Sequence, residues 1–356
     1  MQQLSRRAVL QAVGATGVTT VSGCAGDTVQ SEADEFVRAV WVFPNEIDDL
    51  GWAWAHNEGL RSVARELEWV RTDSAVDIKP AESEEIFQEY VDRDYDIIFG
   101  CTFEYQDHMR RVAADAPDTY FEHCTGYVTR ENMGRYMGRI YQARYLAGQA
   151  AGLLTETDLL GYVAAKSITE VIRGINAYAL GVASVNSSAT IRVQYTDSWY
   201  DPDAETEAAT KLISEGVDVM AQHQNSAAAV TAAREANIWA TGYNSSMATQ
   251  GGVHYITSPI WHWDNFYIPT VRAVRNNSWE SDFYWKGLAS GICSLDDWGP
   301  QVPTAVKDTV AETRQDIING DRTVWDNSKF ASVDDSFLFQ EMDSYVPNIE
   351  VVEGST

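Results

Sequence analysis

Short apolar runs alternate with stretches of helical periodicity along most of this chain, and that alternation restricts its fold more than any other feature. Val37–Phe43 reads as a buried strand. Leu60, Val63, Ala64 and Leu67 fall at i, i+3, i+4 and i+7, the spacing of an amphipathic helix. Tyr95–Gly100 reads as the next strand, followed by a helix over Asp107–Ala116 and a strand over Thr119–His123. Met133–Leu153, with glycines at 134, 138, 148 and 152, reads as one long, closely packed helix.

A second series starts at Gly161. It runs strand, helix (Glu170–Val185), strand (Ile191–Tyr195), helix (Asp203–Glu215, stopped by Gly216), strand (Val217–Gln222), helix (Ser226–Ala236) and strand (Ile238–Gly242). Strands separated by helices predict βαβ units and parallel sheets. Two such series predict two doubly wound α/β domains, with ligands at the carboxyl ends of the strands. The elements after Val253, a strand and helices near 265–275 and 304–318, have to be shared between them.

The amino terminus addresses location. Ser5-Arg6-Arg7 precedes a small, apolar run that ends in Val21-Ser22-Gly23-Cys24. A twin-arginine leader is an export signal, and this run is shorter than the ~20 apolar residues a membrane-spanning helix needs. Val-Ser-Gly-Cys has the form of a lipobox, which makes Cys24 the expected lipid anchor and the outer face of the cell membrane the expected location. Residues 25–35 are small, polar and acidic, as expected of a tether.

Charge excludes one class of partner. With Lys+Arg 26 against Asp+Glu 52, the net charge is −26, a field that repels nucleic acid, whose binding rests on basic groups that neutralise phosphates. Only six of the basic residues are lysine, and the chain holds 12 Trp, 17 Tyr and 11 Phe. So many aromatics argue for a folded core, and the acidic, lysine-poor surface is that of a halophile's protein, hydrated and screened at high salt. Cys101, Cys124 and Cys293 show no zinc spacing and read as buried free thiols, although 101 and 124 could meet if their strands are neighbours.

No GxSxG, HExxH, P-loop or strand-following GxGxxG motif occurs, and six scattered histidines give no metal-ligand pattern. Neither a cofactor nor an enzymatic role is therefore expected. Aromatic and short polar residues gather instead on loops that follow strands, at 48–57, 102–107, 198–201, 223–226, 242–245 and 260–264. Such loops line a cleft, and flat rings beside Asp, Asn and His suit a planar heterocycle with a hydrogen-bonding edge.

The same loops carry a resemblance. Gly51-Trp52-Ala53-Trp54-Ala55-His56, Phe121–Tyr127, Tyr145–Gly148, Glu170–Ala177 and Ser198–Pro202 resemble the basic membrane protein (BMP) family, which includes the purine nucleoside receptor A proteins. The resemblance implies a type I periplasmic-binding-protein fold, two Rossmann-like lobes around a ligand cleft. The first lobe is expected over 36–155 plus 257–295 and the second over 156–256 plus 296–345. It implies the permease and ATPase of an ABC importer as partners and a purine base or nucleoside as ligand; another small solute, a sensing role and a nucleoside-processing enzyme are the alternatives. It places Trp52 on one face of the base and Phe103 and Tyr105 on the other, with Asp107 as that loop's acid. Asn244 falls where nucleoside receptors commonly carry an aspartate, and Trp261 near their usual basic residue, which leaves a free base as an option. His223 and Asn225 are expected to add polar contacts from the second lobe.

Overall fold

The computed structural model describes residues 36–47 and 50–352. The twin-arginine leader, Cys24 and the tether lie outside them. The first series is β1 (Val37–Val42), α1 (Trp52–Glu66), β2 (Val70–Ala75), α2 (Ser83–Asp92), β3 (Ile97–Gly100), α3 (Gln106–Asp115), β4 (Tyr120–Cys124) and β5 (Met133–Gly138). The second is α4 (Tyr141–Leu154), β6 (Leu159–Ala164), α5 (Thr169–Ala183), β7 (Thr190–Tyr195), α6 (Pro202–Ser214), β8 (Val219–His223), α7 (Ala228–Glu235), β9 (Trp239–Thr241), α8 (Ala248–Gly251) and β10 (Tyr255–Thr257). The chain closes with β11 (Pro259–Trp261), α9 (Asp264–Arg275), β12 (Phe283–Lys286), β13 (Cys293–Leu295), α10 (Thr304–Asn319), α11 (Asp335–Gln340) and β14 (Ile349–Val351).

Two six-stranded parallel sheets result, ordered β12-β5-β4-β3-β1-β2 and β10-β9-β8-β6-β7-β14. This is the two-lobed type I periplasmic-binding-protein architecture. The chain passes between the sheets three times, and the antiparallel pair β11–β13 lies on the later passages. Strands β1, β3 and β8 are buried along nearly their whole length, which is why they read as continuous apolar runs instead of alternating ones. Trp41 on β1 stacks on Phe99 of β3, centroids 4.6 Å apart. Gly216, at φ 97°, adopts the left-handed turn that ends α6.

The expected helix over 133–153 is corrected: its first six residues are strand β5, and the helix begins at Tyr141. Gly134 and Gly138 mimic a helical repeat, but each is small for a different tertiary reason. A Cβ on Gly134 would meet the Glu122 carboxylate at 2.7 Å, and one on Gly138 would collide with the Trp261 ring. Only Gly148 and Gly152 serve helix packing, where α4 lies against α5. That packing joins α4 to the second lobe, and β14 carries the second sheet beyond residue 345. Cys101, Cys124 and Cys293 are buried free thiols.

Candidate ligand-binding site

Both sheets share the strand order 2-1-3-4-5, whose switch point lies between the first and third strands of each series. Ligands bind beyond the carboxyl ends of such strands. A cleft of about 770 Å³ occupies that position, within the usual volume of small-molecule sites. Pro44 and Asn45 follow β1, and Thr102 and Phe103 follow β3. Lys166 follows β6, His223 ends β8, and Asn225 follows it. The two switch points therefore face one another across one cavity.

Trp52 forms the first lobe's wall, half-buried at the start of α1. Its indole Nε1–H donates to the Cys101 carbonyl at 2.6 Å. Behind it, Trp261 and Trp263 stack on each other at 4.5 Å, and Trp52 meets both edge-on at 5.7 and 5.6 Å. Phe103, 50 % exposed, also lines the cleft, tilted against Tyr127 with centroids 5.9 Å apart.

The second lobe's wall is a ladder of rings. Trp199 lies 6.1 Å from His223, His223 lies 4.5 Å from Tyr243, and the Arg144 guanidinium caps Tyr243 at 3.8 Å. Burial, helped by the charges of Arg144 and Arg173, holds the His223 pKa well below its ordinary value, so its imidazole is neutral at pH 7. His223 Nδ1 is buried and has no hydrogen-bond partner among the described residues, a state a ligand would relieve. Glu170 and Arg173, one turn apart on α5, line the same side. Burial raises the Glu170 carboxyl and lowers the Arg173 guanidinium, and each charge partly offsets the shift of the other. Arg173 Nη1 also donates to the Leu338 carbonyl at 2.6 Å. Among the described residues, no group of three or more His, Cys, Asp or Glu side chains is placed to hold a metal.

Of the expected site residues, Trp52, Phe103, His223 and Asn225 meet in the cleft and four others do not. Tyr105 is fully buried beneath it, its hydroxyl donating to the Ile78 carbonyl at 2.5 Å and its ring edge-on to Phe87. The 3₁₀ turn Phe103–Tyr105 sends alternate aromatics to opposite sides, one to the cleft and one to the core. Asp107 sits exposed in the first turn of α3, 3.6 Å from Arg110. Asn244 is 1 % exposed and Trp261 6 % exposed. They bond to each other at the hinge, where Trp261 Nε1–H donates to Asn244 Oδ1 at 3.0 Å. The sequence pattern flagged the Trp199 loop without showing that it lines the same cleft as Trp52. Tyr127 appeared only as the end of the Phe121–Tyr127 family string, and Lys166 and Phe339 carried no signal, since their place in the cleft depends on loops converging from distant parts of the chain.

Residues 36–328 match the family described as Bmp, ABC transporter substrate-binding protein PnrA-like. The chain belongs to this family. Its members are solute-binding proteins and not enzymes, and the substrate-binding proteins of ABC importers act outside the cytoplasm. Among the described residues no helix is long and apolar enough to cross a membrane. A Haloferax volcanii protein named "Putative ABC transporter glucose-binding protein TsgA13" is 48 % identical, the match covering 98 % of this chain and 97 % of that one. A Brucella abortus protein named a purine-binding protein is 31 % identical, over 82 % of this chain and 83 % of its own. A solute-binding protein of an Aeropyrum pernix ABC transporter system superposes with a TM-score of 0.71 at 18 % identity, covering 80 % of this chain and 92 % of its own, which shows the shared fold.

Proposed function

We propose that this family member binds a purine base or nucleoside between Trp52 and Trp199 and delivers it to the permease and ATPase of an ABC importer. The observation that carries the reading is the pair of tryptophans lining one cleft from opposite lobes, with a neutral, unsatisfied His223 beside the second. A flat heterocycle would stack on both indoles and give His223 a partner. The sandwich spans the lobes, in place of the single-lobe grip of Trp52 with Phe103 and Tyr105. The purine-binding name of the Brucella abortus relative supports this ligand class.

The second reading is a monosaccharide, favoured by the name of the Haloferax volcanii relative. Isothermal titration calorimetry with adenine, adenosine, guanosine and glucose decides between them: a purine titrates on the first reading, and glucose alone on the second. Twin-arginine export and a lipid on Cys24 complete the proposal and place the receptor on the outer membrane face, with its cleft open to imported solute.

A further inference from the structure

The two aromatic walls are tied together by one residue. Asn225 donates its backbone N–H to the Trp199 carbonyl at 3.0 Å, within its own lobe. Its side-chain Oδ1 accepts from the Trp52 backbone N–H at 3.3 Å, across the cleft. Trp52 opens α1, and the residue before it, Gly51, has no side chain to cap that helix. The first N–H groups of a helix have no acceptor within it, so Asn225 supplies one from the opposite lobe. Asn225 Oδ1 also accepts from Asn244 Nδ2 at 3.2 Å, and Asn244 is held in turn by Trp261. A second tie lies alongside, with Ser245 Oγ donating to the Leu50 carbonyl at 2.6 Å.

Space at this junction is limiting. A Cβ on Gly51 would lie 2.6 Å from Asn225 Cβ and 2.7 Å from its Cα, and would also strike its carbonyl oxygen. Gly51 has φ −92° and ψ −145°, and the atoms that a side chain there would meet belong to the other lobe.

We propose that Asn225 is a latch that holds the lobes closed and sets the gap between the Trp52 and Trp199 rings, and that residue 51 is glycine because a side chain there keeps the latch from engaging. Asn225 acts here as a positioning residue. The inference rests on the reading that the lobes close over a ligand stacked between the tryptophans, and it adds a device that does not depend on which ligand that is.

The test uses the ligand-free protein at high salt, by hydrogen exchange of the Trp52 amide and by small-angle scattering. Wild type should protect that amide. Gly51→Ala and Asn225→Ala should raise its exchange about tenfold and increase the radius of gyration, while amides of β3 and β8 keep their rates; Asn225→Asp keeps an acceptor at a helix N-terminus and should retain both wild-type values. Adenosine affinity should fall about tenfold in the two alanine variants and recover in Asn225→Asp. Wild-type exchange and dimensions in Gly51→Ala would overturn the latch, and so would Asn225→Asp behaving as Asn225→Ala. Should Gly51→Ala fail to fold, the two variants at position 225 decide alone. A wild type that binds no purine removes the ligand reading and leaves the exchange and scattering comparison standing.

Discussion

The indole Nε1–H of Trp52 donates to the carbonyl oxygen of Cys101 at 2.6 Å. This ties the cleft's first aromatic wall to the end of β3. The bond uses the ring's only polar group and fixes its orientation, so what remains for a ligand is a flat face. Trp199 has no such bond among the described residues; its ring is placed by His223 and by Lys166, whose ammonium lies 5.8 Å from the ring centre.

Each wall should therefore matter to binding, and both variants should still fold, at some cost in stability because each ring also packs on the core. Trp52→Ala and Trp199→Ala should each cost ~1–3 kcal/mol of purine binding, about five- to 150-fold in affinity. Calorimetry with adenine and adenosine measures this, with thermal unfolding as the control. Phe103→Ala, at the exposed rim, should cost less. Loss of purine binding in Phe103→Ala but not in Trp199→Ala would return the second face of the sandwich to the first lobe.

Asn244→Asp should not improve recognition of a ribose. The Asn244 side chain donates to Asn225 Oδ1 and accepts from Trp261, away from the cleft. A carboxylate would set acceptor against acceptor and leave a buried charge, at a cost of about 1–3 kcal/mol in stability. Differential scanning calorimetry should show a lowered midpoint, with the ratio of adenosine to adenine affinity unchanged.

Glu122 should make stability depend on pH. Its carboxyl is buried between β3 and β5, accepts from Trp279 Nε1–H at 2.8 Å, and is pushed up from 4.5 to about 8 by burial. Between those values the folded protein holds a proton that the unfolded chain has released. This contribution is therefore present at low pH and lost as pH rises towards 8, up to roughly 5 kcal/mol in all. Glu122→Gln keeps an acceptor for Trp279 and should flatten that part of the pH profile of denaturant unfolding at fixed salt. An unchanged slope would show that Glu122 titrates as an ordinary surface carboxylate.

Salt should stabilise the whole molecule. A net charge of −26 opposes the compact state, and screening contracts to ~3 Å at 1 M salt. The unfolding midpoint should rise from low to molar KCl, and a flat profile would remove the halophile reading.

Export and anchoring should separate by mutation. Replacing Arg6 and Arg7 with Lys should leave precursor inside the cell. Cys24→Ser should give exported protein that the membrane no longer holds. Fractionation and immunoblotting read both outcomes, and normal surface levels of the double Lys variant would exclude the twin-arginine route.

Most of the scaffold was legible because it is written locally. Apolar runs such as Val37–Phe43 and helical spacings such as Leu60 to Leu67 report backbone periodicity directly, and their alternation requires parallel sheets with loops at the carboxyl ends. It could be read from the sequence alone that Trp52, Phe103 and His223 lie on such loops, and that the chain belongs with two-lobed binding proteins. Direction could not be read. The glycines at 134 and 138 have a helical spacing, yet one makes room for a carboxylate on β4 and the other for a tryptophan ring at the hinge. Phe103 and Tyr105 are two residues apart, and one lies in the cleft while the other lies in the core. Trp52 and Trp199 are 147 positions apart, and nothing near either in the chain says that they share a cavity. Periodicity is a property of neighbouring residues, whereas a cleft is assembled from loops that meet only after two sheets have formed and the chain has passed between them three times.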